Sequence, residues 1–98
     1  MNLAALIGEV GSTIEPDGEG QARFALVLAG RAGGEPQRLS VQVRGAQAAA
    51  CRTYLRPGHR VAVEGRVASG ARPAEILADR VQFLTTRAQA ADMGDTAA

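Results

Sequence analysis

From position 38 to position 44 polar and apolar residues alternate without a break. Leu39, Val41 and Val43 fall between Arg38, Ser40, Gln42 and Arg44. A period of two is that of a β-strand with one face in a core and the other in water. The same period runs through QARFALVLA (21–29), where Ala22, Phe24, Leu26 and Leu28 share a face. It recurs in RVAVEGRV (60–67), with Val61, Val63 and Val67 apolar and Glu64 and Arg66 polar. Residues 2–13 predict a first strand, mostly apolar from Leu3 to Val10, in which Gly8 and Gly11 suit a sharp bend around a small barrel. AEILADRVQFL (74–84) is β-branched and aromatic enough to predict a last strand.

The connections carry their own signals. EPDGEG (15–20) combines turn formers with three acids and predicts a loop. GRAGGEP (30–36) predicts a flexible hairpin connection, and SGARP (69–73) a turn. After Gly45, AQAAACRTYLR predicts one helix of about three turns, with Ala50, Tyr54 and Leu55 able to share a face, ended by the RPG of 56–58. Beyond Leu84 the apolar periodicity is lost, so 85–98 is expected to be a disordered or frayed tail. Three strands, a helix and two strands, with no room for βαβ crossovers, are the order of an all-β, five-stranded Greek-key barrel with a helix between its third and fourth strands. That is the OB fold, placed here on 1–84. An α+β sandwich is compatible with the same elements; the glycine spacing of the first strand favours the barrel.

Composition narrows the function more than the fold. A chain of 98 residues is one domain, and with aromatics at 3% its core must be filled by Val, Leu and Ile. The formal charge is only +1, so any binding to a polyanion must rest on segregated charge. All eleven basic residues are arginine, which brings a flat, fork-shaped donor to every cationic position. Cys51 is the only cysteine, which excludes an intrachain disulfide and suits a reducing compartment. It is expected to be a small helix-packing residue with an ordinary thiol. The opening MNLAALIGEV lacks the positive region of a signal peptide, and its apolar run breaks at Gly8 and Glu9, so a cytoplasmic location without membrane contact is expected. Glu9, Glu15, Glu64 and Glu75 form no recognisable constellation with a nucleophile or histidine, and His59 has no metal-ligand partner near it in sequence. The GEGQA and GRAGG glycines lack the lysine and the strand-to-helix setting of a phosphate loop. A binding module with no cofactor and no metal, not an enzyme, is expected.

Several runs together resemble bacterial single-stranded DNA-binding proteins: NLAALIGEV, ARFALVL, the stretch from VQVRG through TYLRPGHRVAVEGRV, and ILADRVQFL. The similarity spans about Met1 to Leu84. It implies an OB barrel, paired into dimers or tetramers, that binds unpaired DNA strands during replication, repair and recombination. A more distant resemblance is to the primosomal replication protein N, a dimeric OB protein that binds single strands by charge and bridges helicase-loading partners. A protein-interaction OB module with little DNA affinity is the remaining alternative.

The resemblance turns the polar face of 38–44 into a candidate groove floor. Arg38, Ser40, Gln42 and Arg44 stand on it about 6–7 Å apart, where the bland alternative is a solvated sheet face. Arg23 and Arg66, at outward positions on what are expected to be neighbouring strands, extend the basic stripe. Arg31 and Arg72 sit in loops able to close over a strand. The family places aromatics where this chain has Arg38 and Arg44, and its long basic hairpin is here cut to ASGARPAE, with Arg72 as its one basic residue. Its acidic, aromatic-tipped tail has no counterpart in ADMGDTAA. Tyr54 is expected to pack its ring under the barrel with the hydroxyl at the surface, and Phe24 and Phe83 to lie in the core. Single-stranded DNA, a second copy of the chain, and replication or repair proteins are the expected partners. Self-association is expected because the first strand presents an apolar, little-charged edge.

Overall fold

The computed structural model describes residues 3–29, 34–68 and 75–92. Its elements in order are β1 (Leu3–Val10), β2 (Glu15–Pro16), β3 (Gln21–Leu28), β4 (Gln37–Arg44), α1 (Gly45–Tyr54), β5 (Arg60–Val67), β6 (Glu75–Phe83) and α2 (Arg87–Asp92). Five long strands run β1-β5-β6-β4-β3 around a closed barrel, and β1 pairs again with β3 to shut it. All long-strand pairings are antiparallel except β4 with β6, where Ser40, Val41 and Gln42 face Glu75, Ile76 and Leu77. This is the expected OB barrel. Two residues of the expected loop, Glu15 and Pro16, form the short flap β2 against Arg23 and Ala22. The helix therefore follows the fourth strand when the flap is numbered.

Closure depends on β1 serving two partners. From Leu3 to Glu9 it pairs with β5, and at Glu9 and Val10 it also pairs with Val27 and Leu26 of β3. Gly8 lies immediately before that junction. A Cβ there would stand 2.5 Å from the Val27 carbonyl oxygen, so only glycine lets the two backbones come this close. Val10 is then pinned, its N–H donating to the His59 carbonyl at 2.8 Å and its carbonyl accepting from Gly58 N–H at 2.7 Å. The strand ends here, short of the expected position 13. Gly11 N–H turns to the Ala25 carbonyl, and the Ser12 hydroxyl accepts from Ala25 N–H.

The alternation places the core where the sequence expects it. Ala22, Phe24 and Leu26 of β3, Val41 and Val43 of β4, Val61 and Val63 of β5 and Ile76 of β6 are all buried. The helix closes one end of the barrel with Ala48 and Cys51, followed by Leu55 at its C-cap, a spacing of three and then four that keeps one stripe inward. Of the expected stripe of Ala50, Tyr54 and Leu55, only Leu55 is buried. Tyr54 is 60% exposed and Phe83, at the barrel rim opposite Val61, is 38% exposed. Their rings pack against each other with centroids 6.5 Å apart, so Phe83 is not the core residue expected and the Tyr54 ring is more exposed than a ring packed under the barrel. Burial pushes the Cys51 thiol up to about 11, not the ordinary value expected for it. His59 is buried, and its Nδ1 accepts from Arg56 N–H at 3.4 Å. Beyond the barrel, α2 lies within the segment expected to be a tail, whose last six residues fall outside the described ones. Among the described residues no helix is long and apolar enough to cross a membrane.

A bulge between Glu64 and Gly65 skips Asp79 on β6 and tightens the sheet beside it. A Cβ on Gly65 would run into the Leu77 carbonyl oxygen and the Ala78 Cα, both backbone atoms. Gly65→Ala should lower unfolding free energy in urea by about 1–3 kcal/mol, the usual cost of overpacking. An unchanged urea midpoint would show that β6 yields freely at the bulge.

Candidate nucleic-acid interface

The outer face of β3 and β4 carries most of the candidate residues. Register sets Arg38 opposite Val27, Ser40 opposite Ala25, Gln42 opposite Arg23 and Arg44 opposite Gln21. Arg23, Ser40 and Gln42 thus meet at the middle of the face, with Arg38 toward one end and Arg44 at the other. Arg38 reaches back over Val27, and its Nη2 donates to the Gly11 carbonyl at 3.1 Å. Between it and the 12–15 segment opens a cleft of about 400 Å³ lined by Ser12, Thr13, Arg23, Ala25, Arg38 and Ser40, among others. Arg44 is exposed, ends β4 and is the extended N-cap residue of α1.

The central arginine is already engaged. Arg23 Nε and Nη2 donate to Asp17 Oδ2 at 3.1 and 3.0 Å, Nη1 donates to the Ser40 hydroxyl at 3.1 Å, and Nη2 lies 2.9 Å from Glu75 Oε1. Gln42 Nε2 donates to the same Asp17 oxygen at 2.8 Å and to Gln21 Oε1 at 3.0 Å. One guanidinium set against two carboxylates leaves this spot with a net charge of −1. The hydrogen bonds from Gln42 and Arg23, in that order, hold the Asp17 carboxyl below the usual carboxylate range. Asp17, above all, raises the Arg23 pKa further. Three of the five guanidinium N–H groups make hydrogen bonds and Nη2 also faces Glu75, so what Arg23 has left to offer is chiefly its flat face.

Asp17 and Glu75 are the site residues that sequence reasoning missed. Asp17 stands in the acidic run 15–20, read as a loop, and Glu75 at the start of the last strand. Only the fold brings them from β2–β3 and β6 to Arg23. The structure does not bring Arg66 to this face. Arg66 lies on β5, which neighbours β1 and β6 and not β3 or β4, and its Nε is 4.0 Å from Asp79 Oδ2 in an exposed pair. The expectation that Arg66 stands on a strand neighbouring Arg23 therefore fails, because the barrel's strand order is not its sequence order and β6 intervenes in the row Arg66, Leu77, Gln42, Arg23. Arg31 and Arg72 lie outside the described residues. Among the described residues no group of three His, Cys, Asp or Glu side chains is placed to hold a metal ion.

No protein-family model and no curated protein matches the chain. Solved structures do. The small single-stranded DNA-binding protein of Streptomyces coelicolor superimposes with a TM-score of 0.72 at 25% identity, over 85% of this chain and 94% of its own. The corresponding domain from Synechococcus gives 0.73 at 24% identity over 84% and 94%. The Plasmodium falciparum protein, in complex with single-stranded DNA, gives 0.64 at 23% identity over 86% and 95%. These neighbours are single-stranded DNA-binding proteins of the OB fold, the family that the sequence resembles.

The engaged state of Arg23 has a measurable signature. In an NMR titration the Asp17 carboxyl should titrate below an ordinary aspartate, and in Arg23→Gln it should move back toward the ordinary value. Because the fold favours the ionised form, this contact stabilises the protein above the ordinary carboxylate range and is lost as pH falls through the depressed value. An Asp17 carboxyl that titrates normally in the parent would show that the hydrogen bonds are not held in solution.

Proposed function

We propose that this chain is a cytoplasmic binding module, not an enzyme, that takes single-stranded DNA across the outer face of β3 and β4 and serves replication, repair or recombination. The observation that carries the proposal is the cleft beside Arg38 on this face, in a barrel whose structural neighbours are single-stranded DNA-binding proteins. Arg38 and Arg44 stand near the two ends of β4, and among the described residues neither has a carboxylate within 4.0 Å. They are the groups with charge to give to phosphates. Between them, Arg23 is locked in orientation and presents a guanidinium plane on which a base can lie, while its two carboxylates repel phosphate from that spot. No aromatic of the described residues stands on the face, since Phe24 points inward and Tyr54 and Phe83 pack at the barrel's rim. Charge supplies the larger part of the binding energy, so affinity is modest and salt-dependent.

Fluorescence anisotropy of a labelled oligothymidylate of about eight nucleotides, within the span of one OB fold, tests this at two salt concentrations. Two arginine–phosphate contacts at about −0.7 each give a slope of log affinity against log salt near −1.4. Arg38→Ala and Arg44→Ala should each make it shallower by about 0.7. Arg44→Trp should add stacking of about 1–3 kcal/mol and weaken the salt dependence. If none of the three variants alters affinity or slope, the face is not a DNA groove and the protein-interaction alternative takes its place.

Self-association is part of the same proposal. Along 3–8 one flank of β1 is paired with β5, and among the described residues no strand pairs with the other, beside which Ile7 is 58% exposed. An apolar strand with a free flank is a template for a second copy. Sedimentation equilibrium at tens of micromolar should give a dimer or a dimer of dimers; monomer alone would overturn this part.

A further inference from the structure

The Ser12–Glu15 stretch has a cleft on each side of it. On one side lies the cleft of the β3–β4 face; on the other, between that stretch and the end of α1, lies a second of about 200 Å³, lined by Thr13, Ile14, Arg52, Leu55, Arg56 and Pro57. Thr13 borders both, so the two openings are adjoining stations on one surface. The chemistry of the second is mixed. Ile14, Leu55 and Pro57 supply apolar wall, Thr13 a hydroxyl, and two arginines the rim.

Those arginines differ from Arg23. Among the described residues no carboxylate lies within 4.0 Å of either Arg52 or Arg56. Arg52 is exposed in the last turn of α1, and Arg56 spends one donor on the Leu55 carbonyl, Nη1 to oxygen 2.8 Å. The negative end of the helix steadies two cations there without neutralising them. Free guanidinium groups over a small apolar hollow match a nucleotide, with phosphate on the rim and a base or sugar against the wall.

We propose that this second cleft is a further binding station for the same polynucleotide, so that a single strand lying along β3 and β4 passes over Thr13 and continues to Arg52 and Arg56. The inference rests on the single-strand reading of the β3–β4 face and adds length and charge to it. It divides the labour between two places. The sheet face holds a short strand through Arg38 and Arg44, and the end of α1 is engaged only by a strand long enough to cross the 12–15 segment.

The test compares oligothymidylates of about eight and about sixteen nucleotides, both within the range of OB-fold site sizes, on the parent, Arg52→Ala and Arg52→Ala/Arg56→Ala. For the longer strand the parent should show a salt slope steeper than for the shorter by about −1.4, from two more phosphate contacts. Arg52→Ala should remove about half of that increment, and the double variant all of it, with a loss of long-strand affinity of about tenfold or more at low salt. Short-strand binding should be unchanged in both variants. Arg52 is exposed, so its replacement removes no buried contact and leaves the barrel folded. If the parent binds both strands and the variants lose neither affinity nor slope on the longer one, or lose both equally on the two lengths, the second station is overturned and the sheet-face reading stands. If the parent binds neither strand, the single-strand reading itself falls and takes this inference with it.

Discussion

The double pairing of β1 is the constraint on which the rest of the molecule depends. A strand that is hydrogen-bonded to β5 along most of its length and to β3 at its last two residues turns an open sheet into a barrel. That change of partner requires the backbone of residue 8 to pass against the Val27 carbonyl, which the absence of a side chain permits. Once the barrel is shut, the inward residues of five strands face one another and α1 seats Ala48, Cys51 and Leu55 across the open end. The outward residues of β3 and β4 are then fixed in register as one continuous face.

On that face, charge is distributed by the fold and not by the composition. A molecule of formal charge +1 has no surplus to spend, and two carboxylates that meet Arg23 make the middle of the face slightly acidic, while Arg38 and Arg44 toward the ends of β4 and Arg52 and Arg56 at the end of α1 have no carboxylate within 4.0 Å among the described residues. A polyanion meets cations at intervals, separated by a place where phosphate is unwelcome. Held by Asp17, Glu75 and Ser40, Arg23 loses little rotamer freedom when something flat settles on it, since that freedom has been surrendered already.

The strands were legible because each has a clean period of two; Ala22, Phe24 and Leu26 or Val41 and Val43 declare their face without any neighbour. Gly8 and the order of elements were enough for the barrel. The helix face was misread because alanines dominate it. With Ala at four of the ten positions the frame is set by Cys51 and Leu55, and grouping Ala50 and Tyr54 with Leu55 in place of Ala48 and Cys51 shifts that side of the stripe by about a quarter turn. Contacts between elements were illegible for a different reason. Alternation says which side of a strand a residue occupies and nothing about which strand lies beside it, so Arg66 was grouped with Arg23, and Asp17 and Glu75 were not. The flank of β1 that no strand among the described residues pairs with was visible in the sequence only as a run of uncharged residues.

Cys51 has a practical bearing on how this protein can be studied. It is the only thiol in the chain, it is wholly buried, and burial pushes its pKa up to about 11, which disfavours the reactive thiolate near neutral pH. To a maleimide or a spin-label reagent the native protein is therefore nearly blank. A cysteine introduced anywhere on the surface becomes a single address for a dye, with no need to remove the natural one. The slow modification of Cys51 itself then serves as a clock that advances only when α1 lifts off the end of the barrel.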